Sequence, residues 1–426
     1  MNKVNLNTLL IYALPIMVGG VMLNIFNVYV LLLFLLIYLI TIEKIEIAIS
    51  FAIILPPLLG NLFQVFNIPF PGAFFSIIFA SILSFRYFIY LKTWNLGQIV
   101  KYITPIVLTC IMFYLFTGDT DNSNSKITGL LITLCYTPFL IFITRSDKVS
   151  MDRLAPVFII YALLMIRIAY DFYGYASPLG LFDFTSFRLG GYANVRDDVT
   201  HVNYQNVGIA ALMSSSYWLS TRTKISNLLD WIIILTSSWI ILISGARQAM
   251  LGFIIIIGFW LLCRNGKFSF KGAVYFTLFL VASIFFLQSL NVEFIAEMFN
   301  DSNNIDRDYT YPLFVIANNY LTGIGFGNYY DPVYDLYFAH NLFLEVLSEM
   351  GIIGFILLFF PLLRFSFSNH HDFSQRFKNG ALSLLIFLPY FIRSMISDDL
   401  SRNIIVFITF IIFFYKNNKV KHLNYL

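Results

Sequence analysis

The sequence predicts an all-α integral membrane protein, a polytopic bundle of about 12 to 14 transmembrane helices with one large outer, periplasmic loop. Three observations predict it. Of 426 residues, 59% are hydrophobic and 12% are charged, whereas an ordinary soluble domain carries roughly 25% charge. Apolar stretches close to the roughly 20 residues that a bilayer requires recur from Leu6 to Tyr415. Basic residues also gather on alternate connections between those stretches, as the positive-inside bias demands.

The first four spans fall near 6–22, 25–42, 45–66 and 70–91. Lys3 followed by the apolar run from Leu9 has the look of a signal sequence, but an Ala-x-Ala-like cleavage site is missing, so the segment reads as an uncleaved first helix. Spans near 98–117, 127–144, 154–173 and 201–220 follow, then a short pair, 229–244 and 247–263, around Ser244. A span near 270–290 precedes the long polar connection from Asn291 to His340, and spans near 341–363, 379–395 and 403–416 complete the chain. Helices are expected because an open sheet edge in lipid leaves backbone groups without partners.

With the N-terminus inside, 19 of the 27 lysines and arginines fall on one side, which places both termini in the cytoplasm. Of thirteen lysines only Lys126 lies outside, whereas Arg188, Arg196, Arg247, Arg307, Arg393 and Arg402 do. Basic residues kept against the topological bias are candidates for anion binding. The net charge of +4 is scattered over span ends and accompanied by no binding motif, which argues against nucleic acid. Cys110, Cys135 and Cys263 lie in or beside apolar spans without CxxC spacing, so neither a disulfide framework nor a cysteine metal site is expected.

Three elements carry candidate chemistry. The long loop ends in His340-Asn341, followed by Leu342 to Gly354, where an apolar segment begins. A histidine at that boundary can serve as a general base, since its unperturbed pKa of about 6.5 leaves much of it neutral; the alternative is an interfacial histidine that caps a helix. Gly351 and Gly354 can equally be small residues that let membrane helices approach. Arg247, in Ser244-Gly245-Ala246-Arg247-Gln248-Ala249-Met250-Leu251, sits between two Ile-rich runs each short of a full span. An arginine at membrane depth costs roughly 2.5 to 3.5 kcal/mol and normally faces a cavity or a partner, unless it snorkels to the headgroups.

Arg307, in Asp306-Arg307-Asp308-Tyr309-Thr310-Tyr311, stands upstream of Gly323-Ile324-Gly325-Phe326-Gly327. A second guanidinium suits bidentate recognition of a diphosphate, and the glycines can form a tight turn that offers backbone N–H groups to an anion. The other reading of Arg307 is a solvated pair with its flanking aspartates. Arg188, Arg196 and His201 are further candidates for contacts to sugar or phosphate, and the outer-loop tyrosines suit sugar stacking or interfacial anchoring.

Taken in order, these elements resemble the O-antigen ligase and polymerase superfamily of bacterial membrane glycosyltransferases. The His-Asn pair followed after nine residues by Gly-x-x-Gly matches 340–354, Arg-x-x-x-Leu matches Arg247 and Leu251, and a second arginine with an aromatic four residues on matches Arg307 and Tyr311. The resemblance divides the chain into N-terminal helices (1–243), a catalytic region (244–364) that includes the outer loop 291–340, and C-terminal helices (365–426). It implies an inner-membrane enzyme with its site facing the periplasm and an undecaprenyl-diphosphate-linked oligosaccharide as donor. His340, Arg247 and Arg307 would be catalytic, with Asn341, Arg188, Arg196 and His201 beside Arg247 and Arg307 in substrate binding.

The resemblance implies no metal or other cofactor, a glycan or lipid A-core as acceptor, and a chain-length regulator and a flippase as partners. Repeat-unit polymerase, for O-antigen or capsule, is the leading expectation. O-antigen ligase is the alternative within the class, ahead of transfer to a protein, and a flippase for lipid-linked oligosaccharide is the alternative of another class. A flippase needs charged or broken helices near the midplane and internal pseudo-symmetry, whereas here the charges gather in outer loops.

Overall fold

The computed structural model describes residues 81, 96–117, 120–145, 151–173, 204–244, 246–263, 272–279, 281, 309–333, 337, 339, 341–368, 385–396, 406, 407, 410 and 411. Those residues are helical or lie in connecting loops, with no strand among them. The helices are α1 (Leu96–Thr117), α2 (Asp121–Arg145), α3 (Met151–Tyr173), α4 (Tyr204–Ser220), α5 (Leu228–Ser244), α6 (Arg247–Cys263), α7 (Thr310–Asn318), α8 (Leu342–Ser368) and α9 (Leu388–Ile396). The spans expected between 98 and 263, and that beginning at 341, thus fall on helices. The four spans expected before 92, and most of those at 270–290 and 403–416, lie outside the described residues.

Among the described residues one helix, Leu342–Phe367, is long and apolar enough to cross a membrane by itself; Val100–Phe116, Leu228–Ser244 and Gln248–Cys263 are apolar but shorter. At 1.5 Å per residue the 17-residue α5 and α6 are each about 25 Å long, in keeping with the short pair expected around Ser244. The structure departs from the expected loop 291–340 at α7, whose Pro312 and Val315 are buried. Nine residues with an internal proline are too few for a periodic signal, and packing rather than propensity holds them helical.

The chain forms two compact units. The first comprises Met1–Phe79, Asp147–Met298 and Leu382–Pro389. Its centre is α4, buried along its whole length from Val207 to Leu219, with α3, α5 and α6 packed on it. A helix enclosed on every face has no polar stripe to spare, and α4 uses serines there, Ser214, Ser215 and Ser216. Ser215 satisfies its hydroxyl on the Leu212 carbonyl at 3.0 Å, and Ser216 donates to the Leu385 carbonyl.

The turn from α4 to α5 is tied by Arg222. Its Nε donates to Asp230 Oδ1 at 2.7 Å, its Nη1 to the Trp218 carbonyl at 3.1 Å, and its guanidinium lies 3.3 Å from the centre of the Trp218 ring. The other Asp230 oxygen accepts from the backbone of Ser226 and Asn227, both at 3.0 Å. Arg222 lies on the connection between the spans expected at 201–220 and 229–244, one of those whose basic residues are expected on the inner side. In the fold it is a buried, fully engaged cation.

The second unit comprises Ala80–Ser146, Phe299–Ala381 and Tyr390–Leu426. Here α8 is central, packed against α1 and α7. Its inward side is built of rings: Phe355 stacks on Phe359 at 4.4 Å between centroids, and Phe365 meets Tyr102 of α1 edge-on at 5.1 Å. Its opposite side leaves Ile352, Ile353, Ile356, Phe360, Leu363 and Phe367 exposed, an apolar face suited to lipid and costly in water.

A single residue breaks α8. Gly351 has φ 61° and ψ −167°, outside helical geometry, so the bonds expected from Ile352 to Ser348 and from Ile353 to Glu349 cannot form. The segment after α7 supplies all four missing partners. Ser348 O accepts from Ile324 N at 2.9 Å and Glu349 O from Gly325 N at 2.8 Å, while Ile352 N donates to Tyr320 O at 2.8 Å and Ile353 N to Leu321 O at 3.1 Å. Each buried backbone group left unpaired would cost about 1–3 kcal/mol, so broken helix and loop specify each other. In an apolar setting, non-helical backbone is tolerated only when protein encloses it in this way.

The glycines follow from that contact. A Cβ on Gly351 would sit 2.4 Å from the carbonyl carbon of Leu321, and one on Gly323 (φ +68°) 2.3 Å from that of Glu349. Replacing Gly351 with alanine combines positive-φ strain with a clash against backbone, and is expected to cost about 1–3 kcal/mol or more. Thermal unfolding of the detergent-solubilised chain checks this; an unchanged melting temperature would contradict the break.

Candidate functional site

The candidate site is built at the N-terminal end of α8. Asn341 is its N-cap: the side-chain Oδ1 accepts from the backbone of Phe343 at 3.0 Å and Leu344 at 3.2 Å, and the Asn341 carbonyl accepts the first helical bond, from Glu345 N at 2.9 Å. Asparagine is among the preferred residues for this position. Its Nδ2 donates to the Met395 carbonyl at 3.3 Å, which ties the start of α8 to α9. The amide read from sequence as a substrate ligand is therefore engaged at both ends by the protein's own backbone. The capping role weighed for His340 is filled by its neighbour.

One and two turns further on, Glu345 and Glu349 project from the same side of α8 at i, i+4 spacing, and both are fully buried. Between them lies Lys126 of α2, whose Nζ donates to Glu345 Oε1 at 2.5 Å and to Glu349 Oε1. The lysine that stands against the topological bias does bind anions, and they are two carboxylates of the chain itself. The other Glu349 oxygen accepts from the backbone of Gly327 at 2.9 Å. The glycine loop thus offers an N–H to an anion, as its composition suggested, but the anion is internal.

The loop is pinned on its other side to the start of α2. Asn122 Nδ2 donates to the Gly327 carbonyl at 2.6 Å, and Thr120 Oγ1 and Asn328 Oδ1 lie 3.2 Å apart. Gly327 has φ +79°, and a Cβ there would fall 2.4 Å from Ser123 Cα. Tyr329 follows, buried with its ring edge-on to Tyr311 at 5.9 Å. Burial first, then the charge of Asp331, pushes the Tyr329 phenol well above its ordinary range, so it stays protonated. Tyr330 and Tyr337 form a second, exposed pair 5.2 Å apart.

In the first unit Arg247 is the first residue of α6. The turn before it is tight: Ser244 Oγ lies 3.3 Å from Ala246 N, and the Ala246 carbonyl accepts from Ala249 N at 2.9 Å and Met250 N at 3.1 Å. A Cβ on Gly208 of α4 would come within 2.6 Å of Ala246 Cβ, so close packing on α4 fixes where α6 begins. Arg307, His340, Arg188, Arg196 and His201 lie outside the described residues.

Lys126, Glu345 and Glu349 were not singled out from the sequence as a group. Two carboxylates four apart in an apolar run and one lysine on a connection expected to be outer were the available signals, and neither names the other across more than 200 positions. Gly351 was visible, but its break was not, because Met350 to Phe355 reads as uninterrupted apolar helix.

Residues 232–359 match the model of the O-antigen ligase family. The match takes in most of α5, all of α6 and α7 and the first two-thirds of α8, less than a third of the chain, and supports the resemblance to the O-antigen ligase and polymerase superfamily. No curated protein matches the chain. As an N-cap, Asn341 is expected to cost about 0.5–2 kcal/mol when replaced by alanine and far less when replaced by serine or aspartate. Melting temperatures of the three variants test this; equal stability of Asn341→Ala and wild type would reassign the residue.

Proposed function

We propose that the chain is a polytopic inner-membrane glycosyltransferase that acts on undecaprenyl-diphosphate-linked oligosaccharide at the periplasmic face, as an O-antigen or capsular repeat-unit polymerase. The observation that carries this reading is that the O-antigen ligase match, 232–359, contains Arg247, Arg307 and His340, each within a motif that carries the resemblance. The exposed apolar sides of α1, α5 and α8 support a lipid environment. Arg247 opens a helix, whose N-terminal end is itself favourable to anions.

In this mechanism neutral His340 takes the proton of the acceptor hydroxyl as its oxygen attacks the anomeric carbon of the donor sugar. The new glycosidic bond forms while the bond from that carbon to the phosphate oxygen breaks, and the lipid diphosphate leaves with the electron pair. Arg247 and Arg307 stabilise the charge that develops on it, electrostatic assistance of the oxyanion-hole kind. Arginine serves here because its planar fork engages two phosphate oxygens at once. The matched family's description favours a second reading, ligation of the finished glycan to lipid A-core.

A deletion strain of the native host separates the two readings by the banding of its surface polysaccharide. A polymerase leaves a single repeat unit on lipid A-core, whereas a ligase leaves long chains on the lipid carrier. In the complemented strain, His340→Ala is expected to reach wild-type abundance in the membrane yet fall by about 10²-fold or more in product. Wild-type product from that variant would remove the general-base role. Arg247→Lys is expected to rescue poorly, and full activity would mean that charge alone suffices.

A further inference from the structure

Lys126, Glu345 and Glu349 together carry one positive and two negative charges in a fully buried cluster. Removing such groups from water costs several kcal/mol per ion, and apolar residues of similar volume are often as stable or more so. The cluster is therefore poorly explained as a source of stability. What it does provide is geometry. Glu349 holds the glycine loop through Gly327 N, and that loop repairs the break at Gly351. Asn122 fixes the loop to α2, and Lys126 of the same helix holds Glu345, one turn beyond the Asn341 cap.

We propose that Lys126, clamped between Glu345 and Glu349, is a positioning residue that fixes the first turns of α8, and with them the Asn341 cap that directly follows His340 in the chain, relative to the glycine loop. The inference rests on the reading of His340 as the base. A displacement of about 1 Å at a reacting group can cost roughly 10²-fold in rate. The clamp thus acts on transfer through His340 without touching donor or acceptor.

The test uses the full chain, expressed in the deletion strain and also purified in detergent. For each variant the membrane abundance, the binding of undecaprenyl diphosphate and the yield of surface polymer are measured. Lys126→Met is expected to bind undecaprenyl diphosphate as wild type does while polymer yield falls at least about tenfold; Lys126→Arg should recover most of it. Wild-type polymer from Lys126→Met overturns the proposal, and so does a parallel loss of lipid binding and polymer, which would mark a purely structural role.

Should Lys126→Met fail to accumulate, Glu345→Met decides, because it removes the tether nearest the cap and leaves a neutral Lys126–Glu349 pair. A tenfold loss of polymer with normal lipid binding supports the clamp, and wild-type polymer refutes it. His340→Ala is run alongside. If it is inactive while the clamp variants are normal, only the clamp fails; if it retains activity, the base assignment fails first and the clamp has nothing to position.

Discussion

The second unit depends on a backbone exchange. At Gly351 helix α8 gives up two of its own hydrogen bonds, and the segment from Tyr320 to Gly325 takes the places of both donors and both acceptors. Neither partner is stable alone in an apolar setting: the broken helix would bury unpaired groups, and the loop would have no ladder to join. Everything near the head of α8 follows from this, including the positive φ of the glycines, the burial of Tyr329 and the approach of the loop to the start of α2.

Three charges complete the constraint. The exchange fixes the loop against α8 along its backbone, while Lys126 and the two glutamates fix both against α2 through side chains. A backbone contact of four hydrogen bonds defines a position but leaves the direction of the preceding helical turns to packing. The ion cluster sets that direction, at a desolvation cost that only specificity offsets. Asn341 ends the assembly by closing the helix immediately after His340 in the chain.

Much of this architecture was legible in the sequence, and the division between legible and hidden is physical. Apolar length and the sidedness of basic residues are local properties, and α1 to α6 lie within a few residues of the expected spans. The glycines of 323–327 announced a tight turn, and Lys126 announced an anion. The sequence could not say that the anions were Glu345 and Glu349, or that Gly351 breaks a helix, because both depend on contacts between segments far apart in the chain. Helix α7 was hidden for a related reason: two buried residues, Pro312 and Val315, hold nine residues whose own pattern is too short to speak. Arg222 was hidden in the same way: its sequence position shows only a basic residue between two apolar runs, whereas its contacts make it the buried tie of the α4–α5 turn.

Arg247 and His340 are separated by less than a hundred residues, and both fall within the family match, which concentrates the proposed chemistry in a minor part of the chain. The most direct measurement of the central claim is transfer by the purified full chain in proteoliposomes supplied with the host's undecaprenyl-diphosphate-linked repeat units and no nucleotide sugar. The account predicts release of undecaprenyl diphosphate matched by longer or transferred glycan. Movement of the lipid-linked units across the bilayer with the diphosphate linkage intact would contradict it, and would make the chain a transporter.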